Sequence, residues 1–524
     1  MKRRNFLQYL SSSFILPVSI DGYGAKAFAQ HSPFVQALMG LAGTTDKVLV
    51  IIQMQGGNDG LNMVIPLDQM STYNSLRNSS AVSNIAIPEN KALALGTTGM
   101  GLHPAMIGMK QLYTDGKLAV VQGVSYPNPS FSHFRASDIY MTAVDSNQNA
   151  NTGWLGRYLD GNYPNYPNGY PNATYPDPPA IQIGSVVSTA VIGTNGGDAL
   201  VFQDPDTFAK MVGDKPNVPP TDLPATPYGD YVAFIRQQQS SGSAYATRVK
   251  AAANAAANIA PYPTGNNLAD QLKIVARLIK GGLQTNVYYV SIGGFDTHSS
   301  QTDATDTTIG NHANLLKTLS DAITAFQTDL AALGIEDRVA GMTFSEFGRR
   351  AASNASRGTD HGLAAPLFVF GKGVKQQKIG TTPNLSNLDN GNIRMQYDFR
   401  QVYATLLTDW LGVPATTVSS ILFRSFTTLP IFKAIAAREA FDYQETKVYP
   451  NPTSDFVMIE AQALESGIEA LQLVDMQGYS IPVSATQPAP QRLQIDVRQL
   501  PAGNYLLNIQ TPETVLKGKV QVIR

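Results

Sequence analysis

The chain has 524 residues, 43% hydrophobic and 15% charged, with a formal net charge of −1 at pH 7. That length suffices for a large core and two or three domains, and the near-neutral balance offers no basic face for nucleic acid. With no cysteine, the chain cannot use disulfides, zinc–thiolate sites, thiol catalysis or iron–sulfur clusters, so a metal must sit on carboxylates and the six histidines.

In chain order, Lys2-Arg3-Arg4-Asn5-Phe6-Leu7 opens a basic n-region, Phe14–Val18 is a short apolar stretch, and Ala27-Phe28-Ala29 is a small-residue cleavage site. These predict a signal peptide over residues 1–29, too short and interrupted to anchor in a bilayer. The R-R-x-F-L core resembles a twin-arginine (Tat) signal, with a Sec signal that begins K-R-R as the alternative. No other segment reads as a transmembrane helix, and the mature protein is expected to be soluble.

The body, 45–440, reads as α/β. Continuous apolar runs at Lys47–Met54, Leu118–Val124, Val287–Ile292, Val339–Phe344 and Pro366–Phe370 predict strands buried on both faces. Between the third and fourth, Leu316, Leu319, Ile323, Phe326, Leu330 and Leu333 form one helical stripe that Gly334 stops. Strand, helix, strand in that rhythm implies right-handed crossovers and a parallel sheet. The Tyr/Pro/Asn-rich stretch 161–179 reads as a surface loop, whose tyrosines could alternatively form a sugar-stacking face. Residues 215–229 read as a Pro-rich linker, followed by an Ala-rich helix near 243–258.

In an open α/β sheet, function gathers where loops leave the carboxyl ends of strands. Asp59 follows the first strand; Ser130, Ser132 and His133 the second; Asp296 and His298 the third; Glu346 the fourth; and Asp360-His361 precedes the fifth. Imidazoles and carboxylates that can hold a cation, beside a hydroxyl or water that can attack, are what a hydrolytic metal site requires. His133 could orient a nucleophile, donate to a leaving group or merely cap its loop. Arg349 could clamp a phosphate or sulfate, or pair with a neighbouring carboxylate. His103 could support the site from behind, whereas His31 and His312 look incidental.

GGNDGLN, SFSHFRASDIY, TGWLGRYL, GGFDTH, TFSEFGRR and TDHGLAAPLFVFGKGV together resemble the DUF1501 family over about 45–415. That family is generally placed in the alkaline phosphatase–sulfatase superfamily. The resemblance implies an alkaline-phosphatase-like, mostly parallel sheet flanked by helices. It matches Asp59 to the metal-binding Asp after the first strand and Ser130 or Ser132 to the nucleophile. It also matches the ligand pair to a shortened Asp296-Thr297-His298, and a His-x-Gly to His361-Gly362. Glu346-Phe347 stands where the superfamily has Asp-His, which removes one imidazole. Two cations are then conceivable, one on Asp59, a serine and Glu346, the other on Asp296, His298 and His361; a single-metal site and a decayed one are the alternatives. Zinc, manganese or calcium would serve, and no organic cofactor is expected. Ser125-Tyr126-Pro127-Asn128-Pro129 begins a sulfatase pattern and fails at the arginine, against formylglycine chemistry.

From 445 the sequence changes character. Short alternating segments at Phe456–Ile459, Leu471–Asp475, Leu493–Val497, Tyr505–Ile509 and Lys519–Ile523, broken by Gly/Pro turns, predict a small β-sandwich over 445–524. YPNPT, D-x-x-G, L-P-A-G-x-Y and K-x-V-x-V in that order resemble the type A C-terminal sorting domain of the type IX secretion system of Bacteroidota. The resemblance implies type IX machinery as a partner, reached from the periplasm after Tat or Sec translocation, and a secreted or cell-surface protein. The expected function is a metal-dependent hydrolase of phosphate or sulfate esters of extracellular material. The alternative is a non-catalytic surface binding or assembly protein that keeps the phosphatase-like fold.

Overall fold

The computed structural model describes residues 17–20, 23–26, 46–212 except 81 and 198, 242–433 except 244, and 444–524 except 469, 476–479, 482, 512 and 513. Most of the expected signal peptide lies outside these residues, as do Arg3, Arg4, His31 and the stretch 215–229. Two compact units divide the chain, one spanning Thr44–Lys433 and the other containing Ala434–Arg524.

The larger unit is built on one sheet. Its principal strands are β1 (Val48–Met54), β2 (Leu118–Ser125), β3 (Ala180–Ile183), β4 (Ala199–Phe202), β5 (Val287–Ile292), β6 (Val339–Phe344), β7 (Ala365–Phe370) and β8 (Gln377–Ile379). Their order across the sheet is β4-β3-β5-β1-β6-β7-β2-β8. The helices used below are α1 (Ile107–Thr114), α2 (His133–Thr142), α3 (Trp154–Asn162), α4 (Asn267–Lys280) and α5 (Asn311–Ala332).

The unbroken apolar runs follow from burial on both faces. Successive strand residues point to opposite sides. Val48, Val50 and Ile52 therefore pack with Met109 of α1, Val275 of α4 and Phe326 of α5. Leu49 and Ile51 pack on the other side with Ile139 of α2 and Leu159 of α3. The stripe Leu316, Leu319, Ile323, Phe326 and Leu330 is fully buried, and Gly334 adopts a φ of +70° just past the end of α5. The Ala-rich helix runs through 245–255.

The sheet is mostly parallel, as expected, with one strand reversed. β7 runs antiparallel to both β6 and β2, while the other neighbours are parallel. A parallel return needs a long crossover, usually helical, whereas an antiparallel one does not. The connection from Phe344 to Ala365 contains no helix but a ribbon, Gly348–Arg349 paired with His361–Gly362, which turns the chain back. The start of β7 thus lies at the carboxyl ends of its neighbours.

The tyrosines of 161–179 pack on one another. Tyr163 and Tyr166 are buried, and their rings meet Tyr170 and Tyr175 at centroid distances of 5.0–6.0 Å, so they offer no flat exposed platform. Among the described residues no helix is long and apolar enough to cross a membrane.

The second unit contains two sheets. Phe456–Glu460 pairs with Arg492–Asp496 in one; Ala470–Asp475, Gly503–Gln510 and Val515–Val522 pair in the other, all antiparallel. Inward residues of the first (Val457, Ile459, Ile495) and the second (Leu473, Leu507, Val520) share one core, which makes the unit a sandwich.

Candidate functional site

Tight turns bring the strand-end loops together. Gly56 and Gly57, directly after β1, have φ values of +122° and +77°, which glycine adopts without steric cost. A Cβ on Gly56 would lie 2.3 Å from the Asp296 nitrogen, and one on Gly57 would lie 2.2 Å from the Phe347 ring. Only glycine lets the loop after β5 and the segment after β6 approach this closely.

At their meeting point, three imidazoles surround one carboxylate oxygen. Asp296 Oδ1 lies 3.6 Å from His133 Nε2, 3.2 Å from His298 Nε2 and 3.6 Å from His361 Nε2. The Nε2 atoms of His298 and His361 are 2.9 Å apart. Ligand atoms of His133, Asp296 and His361 all fall within 4.8 Å of one another. Ligands bound about 2.0–2.1 Å from a tetrahedral zinc stand roughly 3.3 Å apart, so His133, Asp296 and His361 are placed to share an ion, with His298 beside them.

The other ring nitrogens are each anchored. His133 Nδ1 meets Glu346 Oε1 at 2.8 Å, His298 Nδ1 meets Asp360 Oδ1 at 3.4 Å, and His361 Nδ1 meets the Phe131 carbonyl at 2.7 Å. All three partners are acceptors, so each ring is oriented through Nδ1 with its Nε2 turned toward Asp296. Fixing a ligating imidazole through its second nitrogen is how proteins orient metal ligands.

Glu346 is buried, and besides His133 it accepts the Gly56 N–H at 2.9 Å. It thus stands behind His133 rather than beside Asp296. Asp360 likewise stands behind His298. Arg349 is buried, with donors on the carbonyls of Gly56, Gly57, Thr359 and Phe295 and on Asp296 Oδ1 at 2.7 Å. With its donors so committed, it positions the loops and Asp296 instead of clamping a substrate. Burial pulls Asp296 upward, but the hydrogen bond and charge of Arg349, then His298 and His133, leave its carboxyl below the usual range. Burial, with the charges of Arg349, His133 and His298, lowers His361 against the pull of the Phe131 carbonyl. The Asn354 hydrogen bond, then His298, lowers Asp360. Phe347 forms an apolar wall, its ring 4.8 Å from that of His133 and 4.5 Å from that of His361.

Ser132 occupies the N-cap position of α2 without a side-chain capping bond, and Ser130 Oγ accepts the Ser132 N–H at 3.2 Å. Neither hydroxyl has a histidine or carboxylate partner among the described residues.

Asp59 lies apart from this group. It is fully buried, with Arg77 Nη2 at 2.6 Å and Nη1 at 3.0 Å and Gln301 Nε2 at 2.6 Å. His312 and His103 belong to the same interior region. His312 Nε2 lies 2.9 Å from Asn58 Oδ1, and His103 Nδ1 accepts the Ala105 N–H at 3.1 Å. Burial holds His312 down to about 4 and His103 to about 3.

His298 and His361 also line a cleft of about 680 Å³, together with Phe131, Arg350, Asp360, Asp389 and Asn392. Sequence reasoning did not find the Phe131 carbonyl, because a backbone oxygen has no residue signature, nor Asn392, which is far from any strand-end motif.

Residues 229–419 match the model of DUF1501, a protein family of unknown function, and 447–523 match the secretion system C-terminal sorting domain. The chain therefore carries a DUF1501 region followed by a sorting domain that implies the type IX machinery and a secreted or cell-surface protein. No curated protein matches the chain. It is similar to a solved protein in the alkaline phosphatase superfamily from Vibrio parahaemolyticus, at 10% identity over 92% of this chain and 87% of that one, with a TM-score of 0.32. It is also similar to the lipoteichoic acid synthase LtaP from Listeria monocytogenes, at 11% identity over 74% and 77%, with a TM-score of 0.28. A mouse coronavirus receptor-binding domain complexed with its murine receptor matches 15% of this chain at 16% identity and a TM-score of 0.11, and the chain spans 43% of it.

Proposed function

We propose that the chain is an exported hydrolase of phosphate or sulfate esters of extracellular material, dependent on one divalent cation held by His133, Asp296 and His361, with His298 beside them. The observation that carries this reading is the turning of three Nε2 atoms toward one Asp296 oxygen while each Nδ1 is anchored on an acceptor. Two imidazole nitrogens and one carboxylate oxygen suit zinc or manganese better than calcium, which prefers all-oxygen shells. When bound, such a cation supplies Lewis acidity to an ester oxygen and acidifies water.

The chain's own residues do the rest. Arg349 keeps Asp296 ionised, Glu346 and Asp360 hold the His133 and His298 rings in register, and Phe347 closes one side to water. A nucleophilic serine requires an adjacent base. Ser130 and Ser132 meet none among the described residues, so water is the attacking group in this reading.

Purified full-length chain is expected to carry about one zinc or manganese per molecule by elemental mass spectrometry and to hydrolyse a phosphate or sulfate monoester. Chelation should remove both properties. A chain that takes up neither metal from millimolar solution counts against the reading. Because Arg77 seals Asp59, a second cation loses its expected carboxylate. Metal uptake without turnover therefore points to the surface binding protein instead.

We further propose that export runs through the periplasm, with Tat or Sec translocation preceding the type IX step. Deleting 445–524 is expected to leave the larger unit folded and trapped in the periplasm, read by cell fractionation. Wild-type levels of the truncated chain at the surface or in the medium would overturn this route.

A further inference from the structure

We propose that Gln301 is a positioning residue of the cation group, its buried amide tying together the two loops that carry Asp296, His298 and His361. This inference deepens the hydrolase reading and rests on its cation group.

Gln301 and Thr359 are fully buried, and Thr297 is only 4% exposed. The Gln301 amide meets three partners. Its Nε2 donates to Asp59 Oδ2 at 2.6 Å, which leaves Oε1 at the opposite corner of the amide. Oε1 accepts two hydroxyls, Thr297 Oγ1 at 3.1 Å and Thr359 Oγ1 at 3.0 Å. Thr297 stands between Asp296 and His298, and Thr359 directly precedes Asp360-His361. Gln301 therefore closes its own loop back on Thr297 and reaches across to the ribbon segment at Thr359.

In both loops the threonine turns into the protein while its neighbours turn out. The Asp296 and Asp360 side chains are half exposed, and that of His298 nearly so. Side chains that face solvent have little packing to hold them, so their direction depends on the anchors beside them. A working site needs its groups held to within about 0.5 Å.

The main chain brings the loops close enough for one oxygen to serve both. Thr359 N–H donates to the Thr297 carbonyl at 3.2 Å, and Gln301 N–H to the Arg357 carbonyl at 2.8 Å. A Cβ on Gly358 would lie 2.3 Å from the His298 carbonyl oxygen. Satisfying Asp59 does not account for the arrangement, because Arg77 already gives that carboxylate two hydrogen bonds. The Gln301 main chain is also held by His312, whose N–H donates to its carbonyl at 3.0 Å. Loss of Asp59 thus leaves the threonine contacts in place.

Equilibrium dialysis of the full chain against zinc tests this, together with titration by Co(II), whose visible absorption reports ligand geometry. Thr297→Val and Thr359→Val keep the side-chain shape and lose the hydroxyl, whereas Thr297→Ser and Thr359→Ser keep the hydroxyl and lose the methyl. Each Val variant should bind zinc about ten-fold or more weakly, with an altered Co(II) spectrum, and each Ser variant should stay within about three-fold of wild type. A packing role alone predicts the reverse order, because serine leaves a void. Gln301→Met keeps the length and loses both threonine contacts, so it should weaken binding at least as much as either Val variant. Urea unfolding shows whether it folds, and if it does not, the threonine variants decide. A Val variant that binds zinc as wild type does, or a Ser variant as weak as its Val counterpart, overturns the tie and leaves the hydrolase reading standing. A wild-type chain that takes up neither ion overturns both. Wild-type uptake without turnover of phosphate or sulfate monoesters sinks the hydrolase reading alone.

Discussion

Asp296→Ala is expected to lower cation affinity by more than 100-fold and to abolish turnover, while the chain stays folded. Its Oδ1 is the atom that His133, His298 and His361 share, and it is the only anionic oxygen among the four. Substitutions behind a ligand typically cost about 10–100-fold in affinity, so loss of the shared ligand should exceed that range. The side chain is half exposed. Arg349 keeps its four carbonyl partners, so the stability cost should stay near that of one charged hydrogen bond, about 1.5–3 kcal/mol. Equilibrium dialysis and urea unfolding read the two quantities, and an alanine variant with wild-type affinity would sink the centre.

Asp59→Ala is expected to do the opposite, with a loss of about 3–5 kcal/mol of stability and little change in cation affinity. Removing one partner of a buried ion pair strands the other charge, and Arg77 is as deeply buried as Asp59. Its Nε already lacks a partner. The pH dependence should identify the same interior region. Burial pushes Asp59 up, but Arg77, His312 and Gln301 more than reverse it. Its contribution is therefore present above the unfolded carboxylate range and lost as pH falls through the folded value. His312 and His103 act in the same direction. They stay neutral to about 4 and about 3 in the folded chain, whereas the unfolded chain takes protons below 6.5. Stability should fall between pH 6.5 and 4 by about 1.4 kcal/mol per pH unit for each histidine. A flat unfolding midpoint across that range, or an Asp59→Ala variant as stable as wild type, would contradict this account.

The contrast between these aspartates shows how far the sequence could be read. Both follow a β-strand and sit among glycines, and nothing local separates Asp59 in GGNDG from Asp296 in GGFDTH. The difference is Arg77, which reaches Asp59 from a separate helix. The strands themselves were legible, because burial on both faces leaves unbroken apolar runs. Their directions were not, since an apolar run reads the same either way, and a mostly parallel sheet does not say which strand is reversed. The neighbouring arginines show a similar gap. On extended backbone, successive side chains point to opposite sides, so Arg349 turns into the protein and Arg350 into the cleft. Their sequence positions alone do not say which turns inward.

The ribbon that reverses β7 has a consequence for how the centre forms. Glu346, Arg349, Asp360 and His361 all lie on one folded-back segment whose ends are sewn into adjacent strands of the sheet. Asn354 near its tip also grips the His298 carbonyl at 2.8 Å. Small metal-stapled domains fold around their ion and fall apart without it. Here the segment is held by the sheet and by hydrogen bonds of its own, so chelation is expected to empty the proposed centre and leave the chain folded, as read by circular dichroism.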